Sequence, residues 1–122
     1  MTKRLTYSQA AGTLLAPDGF LAVGYAGYET GKNNPTMQHV PDVGPLPRGL
    51  YRIVGEPFEH ERCGQFCLRL EPDAANEMFG RAGFLLHGDN GKGTASHGCI
   101  VQDRKSRELV WSEGYREIEV VE

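Results

Sequence analysis

Glycine and proline cut this chain into short apolar segments: 16 glycines and 7 prolines punctuate its 122 residues. That spacing specifies many strands joined by turns rather than long helices. Strands are expected at about Leu5–Tyr7, Gly12–Ala16 and Phe20–Tyr25, where apolar and small residues alternate. A long Gly-, Asn- and Pro-rich loop follows from Ala26 to Gly44, and its prolines argue against any helix there. "GLYRIVGEP" and "FCLRLEP" read as two more strands, each stopped by a proline-containing turn, and "DAANEMF" as one short helical turn. "GFLLH" is a buried-type strand that delivers His87 at its C-terminal end. "DRKSRELVWSEG" carries the best helix signal, with Asp103 as cap, Leu109 and Val110 as its apolar side and Gly114 as its end. "REIEVV" alternates as a final strand. The expected fold is mainly β, a small barrel or sandwich with one short helix, formed as a single domain over residues 1–122.

Charge and hydropathy narrow the function. A net charge of −3 with 39% hydrophobic residues suits a soluble globular chain. The basic residues (Lys3-Arg4, Arg104-Lys105, Arg107) are scattered and interleaved with acids, so they read as solvated surface rather than the basic patch of a nucleic-acid binder. No apolar run approaches the ~18–20 residues of a membrane span. The N-terminus begins basic, but polar residues interrupt it before an apolar core forms, so no Sec-type signal is expected in the chain. Cys63 and Cys67 flank "GQF". In a continuous strand they would lie ~13 Å apart, too far for a disulfide, and two free, partly buried thiols are the favoured reading over a tight turn that pairs them.

The chemistry concentrates in "FLLHGDNGKGTASHGCIV", residues 84–101. A cysteine attacks a carbonyl as the thiolate and needs a base or imidazolium beside it. The tetrahedral intermediate then needs N–H donors aimed at its oxyanion. His87 at a strand end supplies a rigid base, Gly88 leaves the backbone after it bare, and the tight Ser96-His97-Gly98 turn can aim the amides of Gly98 and Cys99 into one pocket. The N-terminus of the helix capped by Asp103 is expected to add modest thiolate stabilisation.

"HG…SHGC" resembles the signature of the YkuD-type L,D-transpeptidases, in which a strand-end His-Gly precedes a Ser/Thr-X-Gly-Cys turn. "GKNNP", "GPLPRGLYRI" and "HGDN…ASHGCIV" together are closer still to one branch, the type VI secretion L,D-transpeptidase effectors. The similarity spans about Tyr25 to Val110. It implies that Cys99 is the nucleophile, that His87 is its base and that the Gly88 carbonyl orients the histidine ring. Ser96, His97 and Gly98 would shape the turn, with His97 near substrate but not the base. The implied substrate is the peptidoglycan stem peptide, at the L,D bond between its third residue, a diamino acid, and D-alanine. Water then gives a carboxypeptidase and an amine a transpeptidase, with no metal or cofactor. The resemblance further implies action in the periplasm of a target cell, a cognate immunity protein and a secretion-system component.

Two departures from the YkuD pattern stand out. Val101 occupies the position where many cell-wall enzymes carry Arg or Asn, leaving Arg48 or Lys92 as conjectural replacements. The His-to-Cys spacing, 99 − 87 = 12, is also short. Papain-like and NlpC-type hydrolases, by contrast, place the cysteine before the histidine. Two alternatives were weighed: a zinc-stabilised domain drawing on His60, Cys63, Cys67, His87, His97 and Cys99, and a non-catalytic cell-wall binding module.

Overall fold

The computed structural model describes residues 3–122. It contains one mixed sheet of nine strands in the spatial order β3-β2-β1-β9-β5-β6-β7-β8-β4. In chain order these are β1 (Lys3–Ser8), β2 (Thr13–Ala16), β3 (Gly19–Val23), β4 (Tyr25–Ala26), β5 (Gly49–His60), β6 (Gly64–Pro72), β7 (Leu85–His87), β8 (Ile100–Val101) and β9 (Tyr115–Val121). The sheet is barrel-like and nearly closed, and a single helix, α1 (Arg104–Ser112), accompanies it. The mainly β expectation holds. No helix among the described residues is long and apolar enough to cross a membrane.

Alternation in the strands builds the core. Leu5 and Tyr7 of β1, Tyr51 and Ile53 of β5, Leu68 and Leu70 of β6 and Ile118 and Val120 of β9 all turn inward. Leu85 and Leu86 are buried on both faces of β7, as a strand set between two neighbours under a cover must be. Helix α1 begins where Asp103 accepts from the Ser106 amide at 2.7 Å, and Gly114, at φ +83°, turns the chain into β9. Its buried side differs from the one expected: Ser106, Arg107 and Val110 face the sheet, whereas Leu109 is 41% exposed. One turn of spacing puts 106, 107 and 110 on one stripe and rotates 109 away from it.

Three local expectations are corrected. Strand β5 does not stop at Pro57 but runs on to His60. The pairing register slips between Val54 and Phe58, with Gly55 at φ +71°, so Pro57 lies in a bulge where no ladder bond is asked of it. Residues 73–79 form a turn instead of helix, because the Asn76 side chain accepts from Leu50 N at 3.1 Å and donates to Leu50 O at 2.9 Å, acting as a strand extension. The long loop does contain helical turns, two short 3-10 pieces at Glu29–Gly31 and Pro35–Met37. Pro35 sits at the first helical position with Asn34 as cap, where a missing N–H costs nothing.

Candidate active site

Strands β7 and β8 run parallel with Leu86 opposite Ile100 and His87 opposite Val101. Continuing that register back one step sets Cys99 beside Leu85, and the Leu85 amide donates to Cys99 Sγ at 3.3 Å. With a side-chain period of two, Cys99 and His87 therefore share a face of the sheet as diagonal neighbours. Both line one cleft of about 510 Å³. The tip of the β5–β6 hairpin supplies one wall, with His60, Arg62 and Cys63. The loop after β7 supplies the other, with Asp89, Asn90 and Thr94. His97 completes the lining.

His87 is 1% exposed. Its Nδ1 lies 2.7 Å from the Gly88 carbonyl oxygen. A carbonyl only accepts, so Nδ1 carries the proton and Nε2 presents a lone pair. Nε2 is buried and has no hydrogen-bond partner. Burial lowers the His87 pKa, and the nearby Arg107 guanidinium lowers it further, against the opposing effect of the Gly88 carbonyl. Burial likewise pushes the Cys99 thiol up to about 11, although the Leu85 amide pulls it down. The resting pair is thus imidazole and thiol, both neutral, with no hydrogen bond between them.

Ser96 organises the turn. It is fully buried, its hydroxyl donates to the Cys99 carbonyl at 2.6 Å, and it accepts from the Gly27 amide at 2.9 Å and the Gly98 amide at 3.1 Å. The Gly98 amide is therefore spent inside the turn, which corrects its expected part as an oxyanion donor. The Cys99 amide is the one of that pair not engaged by Ser96. Gly98 instead serves shape: at φ +130°, a Cβ there would come within 2.5 Å of Arg81 Nη2. His97 is exposed, stacks on Tyr28 with ring centroids 5.2 Å apart, and its Nδ1 lies 3.1 Å from the Asp42 carbonyl.

The loop wall is held by a clamp. The Tyr25 hydroxyl donates to Asp89 Oδ1 at 2.5 Å and accepts from the Ala95 amide at 2.9 Å, while the Gly93 amide donates to Asp89 Oδ2. The Tyr25 bond, with several amides, holds the Asp89 carboxyl below its usual range, so it is ionised at neutral pH. On the other wall, His60 Nδ1 accepts from the amides of Arg62 and Cys63 at 3.1 and 3.2 Å.

The thiols of Cys63 and Cys67 are free, Cys67 buried and Cys63 partly so. Among the described residues no three His, Cys, Asp or Glu side chains are grouped so as to hold a metal ion. Of the candidate zinc ligands, His60 turns its Nδ1 to its own hairpin and His97 turns its Nδ1 to the Asp42 carbonyl. The expected help from α1 is corrected too. The helix starts five positions beyond Cys99, its Ser106 amide is taken by Asp103, and Cys99 Sγ accepts from Leu85 instead.

The profile of the Tlde1 domain matches residues 21–121. The chain belongs to this family, the type VI secretion L,D-transpeptidase effectors. Among solved structures, L,D-transpeptidase 1 of Mycobacterium tuberculosis superposes with a TM-score of 0.59 at 14% identity, over 99% of this chain and 62% of that one. An L,D-transpeptidase from M. tuberculosis H37Rv gives 0.57 at 14% identity, over 99% and 58%. The Tlde1 chain thus spans about three fifths of the length of these proteins and shares their fold. Comparison with curated proteins returns no match.

Three arginines of this Tlde1 domain matter here: Arg81 and Arg62 carry no signal in the sequence, and Arg107, expected as solvated surface, is buried. Arg81, 8% exposed, donates to the carbonyls of Gln38, Pro45, Gly44 and His97 and so ties the long loop to the cysteine turn. Arg107, 5% exposed, donates to the carbonyls of Gln102, Phe66 and Gln65. A Cβ at Gly88 would meet its Nη1 at 2.5 Å, so a side chain there would have to displace this guanidinium. Its place on the 106–107–110 stripe was readable from helical spacing, whereas nothing in "FGRAGF" marks Arg81. The third is Arg62, in the cleft wall. Neither Arg48 nor Lys92 lines the cleft, and Val101 is buried at 3% exposure.

Proposed function

We propose that this Tlde1 domain is a cysteine acyltransferase of L,D specificity that acts on peptidoglycan stem tetrapeptides. The observation that carries this reading is the pair on the cleft floor: Cys99 beside a buried His87 whose Nε2 is the unprotonated, unpartnered nitrogen. A buried acceptor without a partner is costly in a purely structural site, and a base awaiting a proton accounts for it.

In the proposed reaction, His87 Nε2 takes the Sγ proton as Cys99 attacks the carbonyl carbon of the third stem residue. The oxyanion forms next to the Cys99 amide, the donor that Ser96 leaves free. Collapse breaks the C–N bond, the imidazolium gives its proton to the departing amine, and D-alanine leaves with a thioester on Cys99. Water or an amine then attacks the thioester, losing its proton to His87, and the thiol is regenerated. Gly88 fixes the base's tautomer and Ser96, His97 and Gly98 hold the turn, so all six residues act as one unit. No cofactor enters.

As a Tlde1 effector the domain would act in the periplasm of a target bacterium, delivered by a secretion-system component, with an immunity protein protecting the producer. Mass spectrometry of tetrapeptide muropeptides, incubated with wild type and with Cys99→Ala, tests the chemistry. Loss of terminal D-alanine with wild type alone is expected, and incorporation of an added D-amino acid would reveal exchange. Intact muropeptides, with the enzyme folded and Cys99 reduced, would refute it.

A further inference from the structure

The cleft lining holds one carboxylate and one guanidinium. Asp89 is the acid of the loop wall and is kept ionised by Tyr25 and neighbouring amides. Arg62 is the cation of the hairpin wall and the lining's one arginine or lysine. It is exposed, and no ion pair engages it among the described residues. Its backbone, however, is not loose. His60 Nδ1 accepts from both the Arg62 and Cys63 amides, which fixes the tip of the hairpin over the cleft. Because Nδ1 accepts, the neutral His60 ring carries its proton on Nε2, a second donor on the same wall.

A guanidinium with free N–H groups at the mouth of a cleft is built to receive a carboxylate in a two-pronged bond. A carboxylate approaching from the Asp89 side would meet like charge. On the reading that Cys99 acylates at the third stem residue, the substrate's terminal carboxylate lies one residue beyond the scissile carbonyl. Its partner must therefore stand beside the nucleophile. Arg62 lines the same cleft as Cys99.

We propose that Arg62 is the specificity-determining residue that binds the free carboxylate of the departing D-residue. The leaving residue then lies on the hairpin side and the acyl portion on the Asp89 side of Cys99. The domain is accordingly an exo-acting enzyme that reads a chain end, and a tetrapeptide already extended or capped at its terminus is a poor donor. The contact lies on the β5–β6 hairpin, whereas Val101 packs inward.

The test compares a tetrapeptide muropeptide ending in D-alanine with the same peptide ending in D-alaninamide, using wild type, Arg62→Gln and Arg62→Lys. The readout is the ratio of kcat/KM for acid over amide, from the released D-residue. Wild type is expected to favour the acid by about 10- to 100-fold, the worth of a charge-assisted bond. Arg62→Gln should collapse that ratio toward one by losing rate on the acid alone, and Arg62→Lys should restore part of it. Since Arg62 is exposed and its turn is closed by backbone and His60, Tm should be unchanged. An acid-over-amide preference that survives in folded Arg62→Gln, or wild type that treats both peptides alike, would overturn the assignment. Release from neither peptide by wild type would instead sink the proposed reaction, and the assignment with it.

Discussion

Replacing Ser96 with alanine should cost this fold more than any other single-atom change near the site. The hydroxyl is fully buried and makes three hydrogen bonds, to Gly27 N, Gly98 N and Cys99 O. Alanine leaves two buried amides with no acceptor, each costing about 1–3 kcal/mol, while the Cys99 carbonyl loses a neutral bond worth about 1 kcal/mol. The three share one atom and will relax together, so a total of about 3–4 kcal/mol is expected rather than the full sum. Against a typical stability of about 5–15 kcal/mol that is a large share. For a chain of this length it should lower Tm by about 12–16 °C. Thermal and urea unfolding of wild type, Ser96→Ala and Ser96→Thr would measure it. Threonine keeps the hydroxyl and should recover most of the loss. At a temperature where Ser96→Ala is fully folded, kcat should still fall at least about 10-fold, because the Cys99 amide is then no longer held in place. A Tm within about 2 °C of wild type would refute the reasoning. It would mean that the Gly27 and Gly98 amides find water or each other, and that Ser96 is not the keystone of the turn.

Other outcomes follow from the same geometry. Because burial and Arg107 hold the His87 pKa below its ordinary 6.5, the acid limb of kcat/KM should fall below pH 6.5. The unfolded chain takes up this proton first, so His87's contribution to stability is present above pH 6.5 and is lost as pH falls through the folded value. A pH–rate profile with an acid limb above 7 would contradict this. With the Cys99 thiol near 11, only about one in ten thousand is thiolate at pH 7, so iodoacetamide labelling of Cys99 in the free enzyme should rise about tenfold per pH unit from 7 to 10. Rapid, pH-independent labelling between 6 and 8 would show a preformed thiolate–imidazolium pair instead. Arg81→Lys cannot reach four carbonyls with one ammonium and should cost about 2–4 kcal/mol with a matching loss of kcat/KM. Wild-type melting and turnover would deny Arg81 its bracing role. Gly98→Ala forces a side chain into φ +130° and against Arg81 and Phe84, and should inactivate the enzyme even where it folds.

What could be read from the chain was local. The strand that ends in His87, the Asp103 cap, the Gly114 stop and the cysteine turn are each written in a few adjacent residues, and the structure has them where the sequence places them. What could not be read depends on partners distant in sequence. Pro57 looked like a strand end because the bulge that accommodates it is defined by β6, not by its own neighbours. Residues 73–79 looked helical until Asn76 is seen bonded to Leu50, 26 positions away. Arg81 carries no local pattern at all, since its four acceptors come from residues 38–45 and 97. Arg48 and Lys92, conjectured as the polar contact that replaces position 101, do not line the cleft, whereas a hairpin tip distant in sequence brings Arg62 there.

The buried arginines give the site its character. Moving a proton from the Cys99 thiol, near 11, to an imidazole at or below 6.5 spans at least 11 − 6.5 = 4.5 pH units. That is roughly 6 kcal/mol before the two new charges attract each other. Arg107 makes it harder, because it faces the imidazolium that would form, and Gly88 is the gap that lets it sit so close. Arg81 works the other way, lowering the thiol. The combined field favours negative charge at Cys99 and disfavours positive charge at His87. Such a site does not store a thiolate. In the proposed reaction it would ionise only when a bound carbonyl can take the charge onward to an oxyanion beside the Cys99 amide, and the imidazolium would be short-lived because the leaving amine collects its proton. Burial, the largest influence on the thiol, keeps it protonated in the free protein and therefore slow to oxidise. On the proposed reading, burial holds the nucleophile in reserve until substrate arrives, and Arg81 and Arg107 set which of the two charges the site then tolerates.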